Sequence, residues 1–155
     1  DSSMLPDTLA TVDRDEALIF HYLFSSNKYA SREQDKHEML KLSVKLNNMT
    51  QVYNSANGEI FSNKMVIQYY YPSIYALEEI SFMLTRALSN EQRYHIDDDT
   101  MGDYLLIFEN IAKHFERGNH IQLKALPDLP QYAHIKTSLL SIQTNCMNVR
   151  QEATL

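Results

Sequence analysis

Scarcity marks this sequence before any motif does. A single cysteine, Cys146, excludes an internal disulfide and fits a cytoplasmic setting without excluding a periplasmic one. Three glycines and four prolines among 155 residues leave too few turn-formers for an architecture of many short strands. Basic residues are short as well: 14 Lys and Arg face 20 Asp and Glu, and the formal net charge of −6 argues against a nucleic-acid binder, which would show a basic face. No apolar run approaches the ~18–20 residues that span a bilayer. The polar opening Asp1-Ser2-Ser3 lacks the pattern of a signal peptide. A start at Asp1 rather than Met reads as a processed protein, a tagged chain or an excised domain.

What the chain does hold is apolar residues, 44% of the total, enough for one domain to build a core. They are concentrated in Lys64 to Ser89, KMVIQYYYPSIYALEEISFMLTRALS. Val66, Tyr70, Ile74, Leu77, Leu84 and Leu88 recur at steps of three and four, with Ile80 and Ser81 sharing the remaining slot. That spacing predicts an apolar stripe on a helix of about seven turns. Tyr69, Tyr70, Tyr71 and Tyr75 widen the stripe, so the helix reads as a central one, packed on several sides. Pro72 predicts a kink or a fresh start near Tyr71.

The rest of the chain arranges itself around that helix. Residues 1–12 read as a flexible lead-in, with Asp13 as cap of a short first helix and Asp15 and Glu16 in its first turn. Ser31 and Gln34 have capping-box spacing ahead of a second helix, from about Arg32 to Ala56. Its seam is Met39, Leu42, Leu46, Met49 and Tyr53, and Gly58 is its expected left-handed stop. Beyond Ser89, the run Asp97-Asp98-Asp99-Thr100 predicts a helix start capped by Asp99 or Thr100. Met101, Tyr104, Leu105, Phe108, Ile111, Ala112 and Phe115 then share a face that ends at Gly118. The link with Leu-Pro-Asp-Leu-Pro is extended by its prolines. A last helix follows from about Gln131 to Gln151, with Ile135, Leu139, Ile142, Cys146 and Val149 inward. The expected fold is all-α: an up-and-down bundle of four long helices plus a shorter N-terminal helix, one domain over 13–151 with a tail at 152–155.

Candidate chemistry is sparse. Six histidines invite a metal site, yet Glu-x-x-His is missing and His37-Glu38-Met39-Leu40 breaks the zinc-protease spacing. Solvated or helix-terminal histidines are the plainer reading. The Asp97–Asp99 run lacks the alternating spacing and distal glutamate of an EF-hand loop and serves as a helix start. Cys146 sits on an apolar face without a base beside it, as a buried inert thiol does. No catalytic, cofactor or metal set emerges, so the expectation is a non-enzyme. The strongest signal is the tyrosine group Tyr69, Tyr70, Tyr71 and Tyr75, which can face a ligand or partner through rings and hydroxyls, or can simply cover a wide core.

The order of pieces carries one resemblance. NSANGEIF, YYYPSIYALEEISFMLTRAL, DYLLIFENIAKHFERGNHIQLKALPDLP and HIKTSLLSIQ follow one another over about Arg14 to Gln151. This layout resembles the soluble helical region of FUSC-like membrane proteins, the fusaric-acid-resistance and aromatic-acid-exporter group. The resemblance implies a cytoplasmic helical domain of a multi-pass exporter, acting in assembly or regulation by helix packing, with the membrane domain of the same chain as partner. It carries over no functional residue. Read from charge alone, the chain is instead a free-standing acidic adaptor, immunity or regulatory protein that meets a basic protein partner, and self-association is compatible with either. A ligand-sensing bundle is the third reading.

Overall fold

The computed structural model describes residues 4–25, 31–59 and 64–154, and over these the chain is all-α, with no strand. Five helices make the bundle: α1 (Leu5–Phe24), α2 (Arg32–Gly58), α3 (Lys64–Ser89), α4 (Asp98–Arg117) and α5 (His134–Thr154). Residues 60–63 and the side chains of Val66 and Val149 lie outside the described residues.

The first helix departs most from the sequence reading. It is 20 residues long and begins at Leu5, not at Asp13. Pro6 occupies its first turn, where a missing amide costs nothing, and Leu5, Leu9 and Val12 are wholly buried. Much of the expected lead-in is therefore core helix, and Asp13 is a mid-helix residue rather than a cap.

The other helices keep the predicted faces. On α2, Leu42 and Met49 are buried while Met39, Leu46 and Tyr53 pack against the core from its edge. Ser31 caps α2 by accepting the Gln34 N–H at 3.2 Å, but the Gln34 side chain turns forward to Glu38 at 2.7 Å instead of closing a capping box. Gly58 remains helical, and the chain leaves through extended Glu59, whose N–H reaches Ala56 O. The expected left-handed Gly58 is thus corrected; Gly118, with φ of 71°, is the glycine that does take that conformation. On α4 the cap is Asp97 rather than Asp99 or Thr100, and it accepts the Thr100 N–H at 2.6 Å.

α3 packs against α1, α2 and α5, and its Ile74, Leu77, Ile80, Ser81, Leu84 and Leu88 are buried. It runs through Pro72 as one helix. Where proline interrupts the backbone ladder, Asn145 of α5 staples the turn. Its Nδ2 donates to Tyr69 O at 2.6 Å and its Oδ1 accepts from Ser73 Oγ. α1 is equally central, touching α2, α3 and α4, and Phe20 stacks on both Phe24 and Tyr104.

Contacts along the helices fix their directions. Tyr22 meets Asp35 and Asp15 meets Lys41, so α1 and α2 are antiparallel. Arg14 meets Glu109 and Glu116 while Phe20 meets Tyr104, so α1 and α4 are too. Tyr53 meets Tyr71 while Met39 and Thr85 share a groove, which opposes α2 and α3. Asn145 beside Ser73, and His134 beside Arg86, oppose α5 to α3. The alternation therefore holds from α1 to α4, whereas α5 runs the same way as α4. The link over 118–133 makes this possible by returning along the bundle as an extended strap. Ile121, Leu126 and Leu129 plug it into the core, and the Tyr104 hydroxyl donates to Pro127 O at 2.6 Å. The Gln143 amide holds it like a strand partner, accepting the Lys124 N–H at 2.9 Å and donating to Lys124 O at 3.2 Å.

Candidate functional site: the outer face of α2 and α3

The four tyrosines do not form one site. Tyr70 turns inward, half-buried, with its ring 6.2 Å from that of Phe115, and burial pushes its phenol up. Tyr69 is half-buried as well, its carbonyl held by Asn145. Tyr71 and Tyr75 face outward at 52% and 55% exposure. Tyr71 leans on Tyr53 of α2, centroids 6.1 Å apart. The group divides because consecutive helical residues are turned about 100° from one another, so four tyrosines over seven positions cannot share a face.

The outward pair belongs to a larger surface. Tyr71, Tyr75, Glu78 and Phe82 follow one another at helical spacing up the outside of α3. Beside them Leu40 and Val44 line the outside of α2, and Leu40, Val44 and Phe82 are each at least 60% exposed. Between the helices lies a groove of about 570 Å³, lined by Met39, Leu40, Leu46, Glu78, Phe82 and Thr85 among others. A second depression of about 410 Å³ shares Glu78 and Phe82 and continues over Tyr75, Met83 and His134. Arg86 lies over the Phe82 ring at 5.9 Å. Glu78 and Glu79 stand on the rim without an ion-pair partner among the described residues, and partial burial raises the Glu78 carboxyl. Chemically this face combines an apolar floor, large exposed side chains and unpaired acids at the edge.

A separate cluster escaped the sequence reading. Asp13, Asp15 and Glu16, within one turn of α1, are all buried. Asp15 faces α2, with Lys41 at 3.1 Å and Lys45 at 3.5 Å, ion pairs of loose hydrogen-bond geometry. Glu16 Oε2 accepts from Ser81 Oγ at 2.5 Å, but Oε1 has no partner. Neither oxygen of Asp13 has one. Burial, the largest influence on each, pushes the carboxyls of Asp13 and Glu16 well above the usual carboxylate range. The signal was present: Leu5, Leu9, Val12, Glu16, Ile19 and Leu23 form an alternating four-three seam in which Glu16 holds a core position. Asp35 is a further buried acid, satisfied by the Tyr22 hydroxyl at 2.7 Å and by Arg93 at 2.5 Å.

The remaining candidates fall into place individually. His114 is buried at the end of α4 rather than solvated, its Nδ1 2.8 Å from Asn119 O. Cys146 is buried and its thiol is pushed up chiefly by burial, which disfavours the reactive thiolate. Among the described residues, no three His, Cys, Asp or Glu side chains are grouped to hold a metal ion. No described helix is long and apolar enough to cross a membrane. Compared with family models, curated proteins and solved structures, the chain matches none.

Proposed function

We propose that this chain is a non-enzymatic helix-packing module that receives a basic amphipathic helix of a protein partner in the groove between α2 and α3. The observation that carries the reading is the uncovered apolar face of Leu40, Val44 and Phe82, with Glu78 at the groove and Glu79 at the adjoining depression. An amphipathic helix fills such a groove with apolar residues at i, i+3 and i+4, and its lysines or arginines meet the rim acids. The net charge of −6 steers a basic partner toward the surface. In the exporter-like setting the partner helix lies in the membrane-proximal part of the same protein, on its cytoplasmic face. In the free-standing setting it lies on another protein.

The test uses a labelled 18-residue helical peptide of leucine and lysine at heptad spacing, with its leucine–glutamate counterpart as the opposite-charge probe. Fluorescence anisotropy is expected to show saturable binding of the lysine peptide, weakened by salt, and none of the glutamate peptide. Leu40→Glu and Phe82→Glu each weaken binding by about tenfold or more, while Leu140→Glu, on exposed α5 surface, leaves it unchanged. Equal binding to all three variants overturns the assignment of the groove.

A further inference from the structure

We infer that the core of the bundle holds at least one bound proton within the Asp13–Glu16 pair, and that this proton ties the packing of α1 to pH. Three carboxyl groups lie within one turn of α1, and the two lysines that reach them, Lys41 and Lys45 of α2, both address Asp15. Arg14, the neighbouring cation on α1, turns away to Glu109 and Glu116 of α4. Those two glutamates face Asp13 with the wrong sign for compensation. From α5 the nearby titratable group is the Cys146 thiol, and α3 offers Glu16 only the Ser81 hydroxyl. His21 lines the depression between α1 and α4 alongside Asp13, with no ion pair between them.

Asp13 is therefore an acid with no exposed surface and no hydrogen-bond partner, and the attraction of neighbouring Arg14, shared with Glu109 and Glu116, does not offset its burial. An isolated buried carboxylate is far more expensive than a buried carboxylic acid, so the group takes up a proton rather than remaining charged. Glu16 shares the condition, with one oxygen bonded and the other bare. A protonated Asp13 also gains a donor, and the unpartnered Glu16 Oε1, three residues on along the same helix, is an acceptor of the kind it needs. The arrangement does not depend on what occupies the α2–α3 groove.

The direction of the pH effect follows from linkage. The folded state holds its protons to higher pH than the unfolded chain, whose carboxyls titrate near pH 4. Stability is greatest at low pH on this account and falls as pH rises from about 4 toward the folded-state value. Over that window the folded-to-unfolded ratio drops about tenfold per pH unit for each such proton. This is opposite to the trend that salt-bridged carboxylates impose.

Urea melts between pH 5.5 and 8.5 test the inference on the intact chain. The wild type is expected to lose stability as pH rises. Asp13→Asn and Glu16→Gln, which keep shape and remove the titration, are expected to flatten the slope and to be the more stable proteins at pH 8.5. Asp103→Asn, at an exposed position on α4, keeps the wild-type slope. A flat wild-type profile, or an unchanged slope in both core variants, overturns the inference. A second measurement needs no variant. Unfolding the wild type in weakly buffered solution at pH 7 is expected to release about one to two protons per chain, and no release overturns the inference.

Discussion

At the scale of single residues, the core is governed by spacing and the exceptions by charge. Leu77 is the clearest regular case, wholly buried midway along α3. Leu77→Ala is expected to cost ~2–5 kcal/mol in denaturant melts, through lost burial and the cavity left behind. A smaller loss means that the neighbouring helices close over the gap. Leu77, Leu84 and Leu42 were legible because their three-and-four spacing has one interpretation. Asp13, Asp15 and Glu16 were not, because acids just ahead of an apolar run match the start of a helix as well as its middle. Only Leu5, Leu9 and Val12 upstream, with Pro6 as the true helix start, distinguish the two. The tyrosines were half legible: Tyr71 and Tyr75 mark the exposed face, but the aliphatic residues that enlarge it, Leu40 and Val44, occupy positions that sequence spacing assigns to water. An exposed apolar face is visible as a departure from the core pattern only once the core has been located.

At the scale of elements, the ends of α2 and α4 show two uses of glycine. Gly118 closes α4 with φ of 71°, a conformation that a side chain resists even where nothing blocks it, and open space surrounds its Cα. Gly118→Ala is expected to destabilise by ~1–2 kcal/mol. Gly58 lies inside the last turn of α2, also in open space, with no positive φ. There the extra methyl group removes unfolded-state freedom and adds helix propensity, so Gly58→Ala is expected to stabilise by ~0.5–1 kcal/mol. Thermal melts of the two variants, read against the wild type, check both signs in one experiment. Asn-Gly after a periodic stretch signals a stop, and α2 does stop there. The geometry of the stop was not legible, because extended Glu59 serves as well as a left-handed glycine.

At the scale of the whole molecule, the unusual part is the strap over 118–133. Short links alternate helix directions, but the strap spans the bundle and sets α5 parallel to α4. Its prolines announced an extended segment, while its anchoring depends on Tyr104 and Gln143, distant residues whose roles no local pattern reveals. Lys124 is exposed, yet both its backbone groups are engaged by Gln143. Gln143→Ala is expected to open the strap to trypsin, with a cut after Lys124 that the wild type resists under the same limited digestion. Equal resistance means that Ile121, Leu126 and Leu129 suffice to hold it. The strap also bears on how the chain is made. A ribosome delivers α1 to α4 before α5, so the alternating part can assemble while the strip of α3 that passes Tyr69 and Ser73 still lacks α5. The strap must then lie down along the nascent bundle before α5 can turn back and cover that strip. Closure joins segments some seventy residues apart, as Asn145 meets Ser73, and such distant pairings pay their loop entropy before any contact rewards it. Until that moment the apolar strip is open to anything in the cell that recognises unfinished proteins.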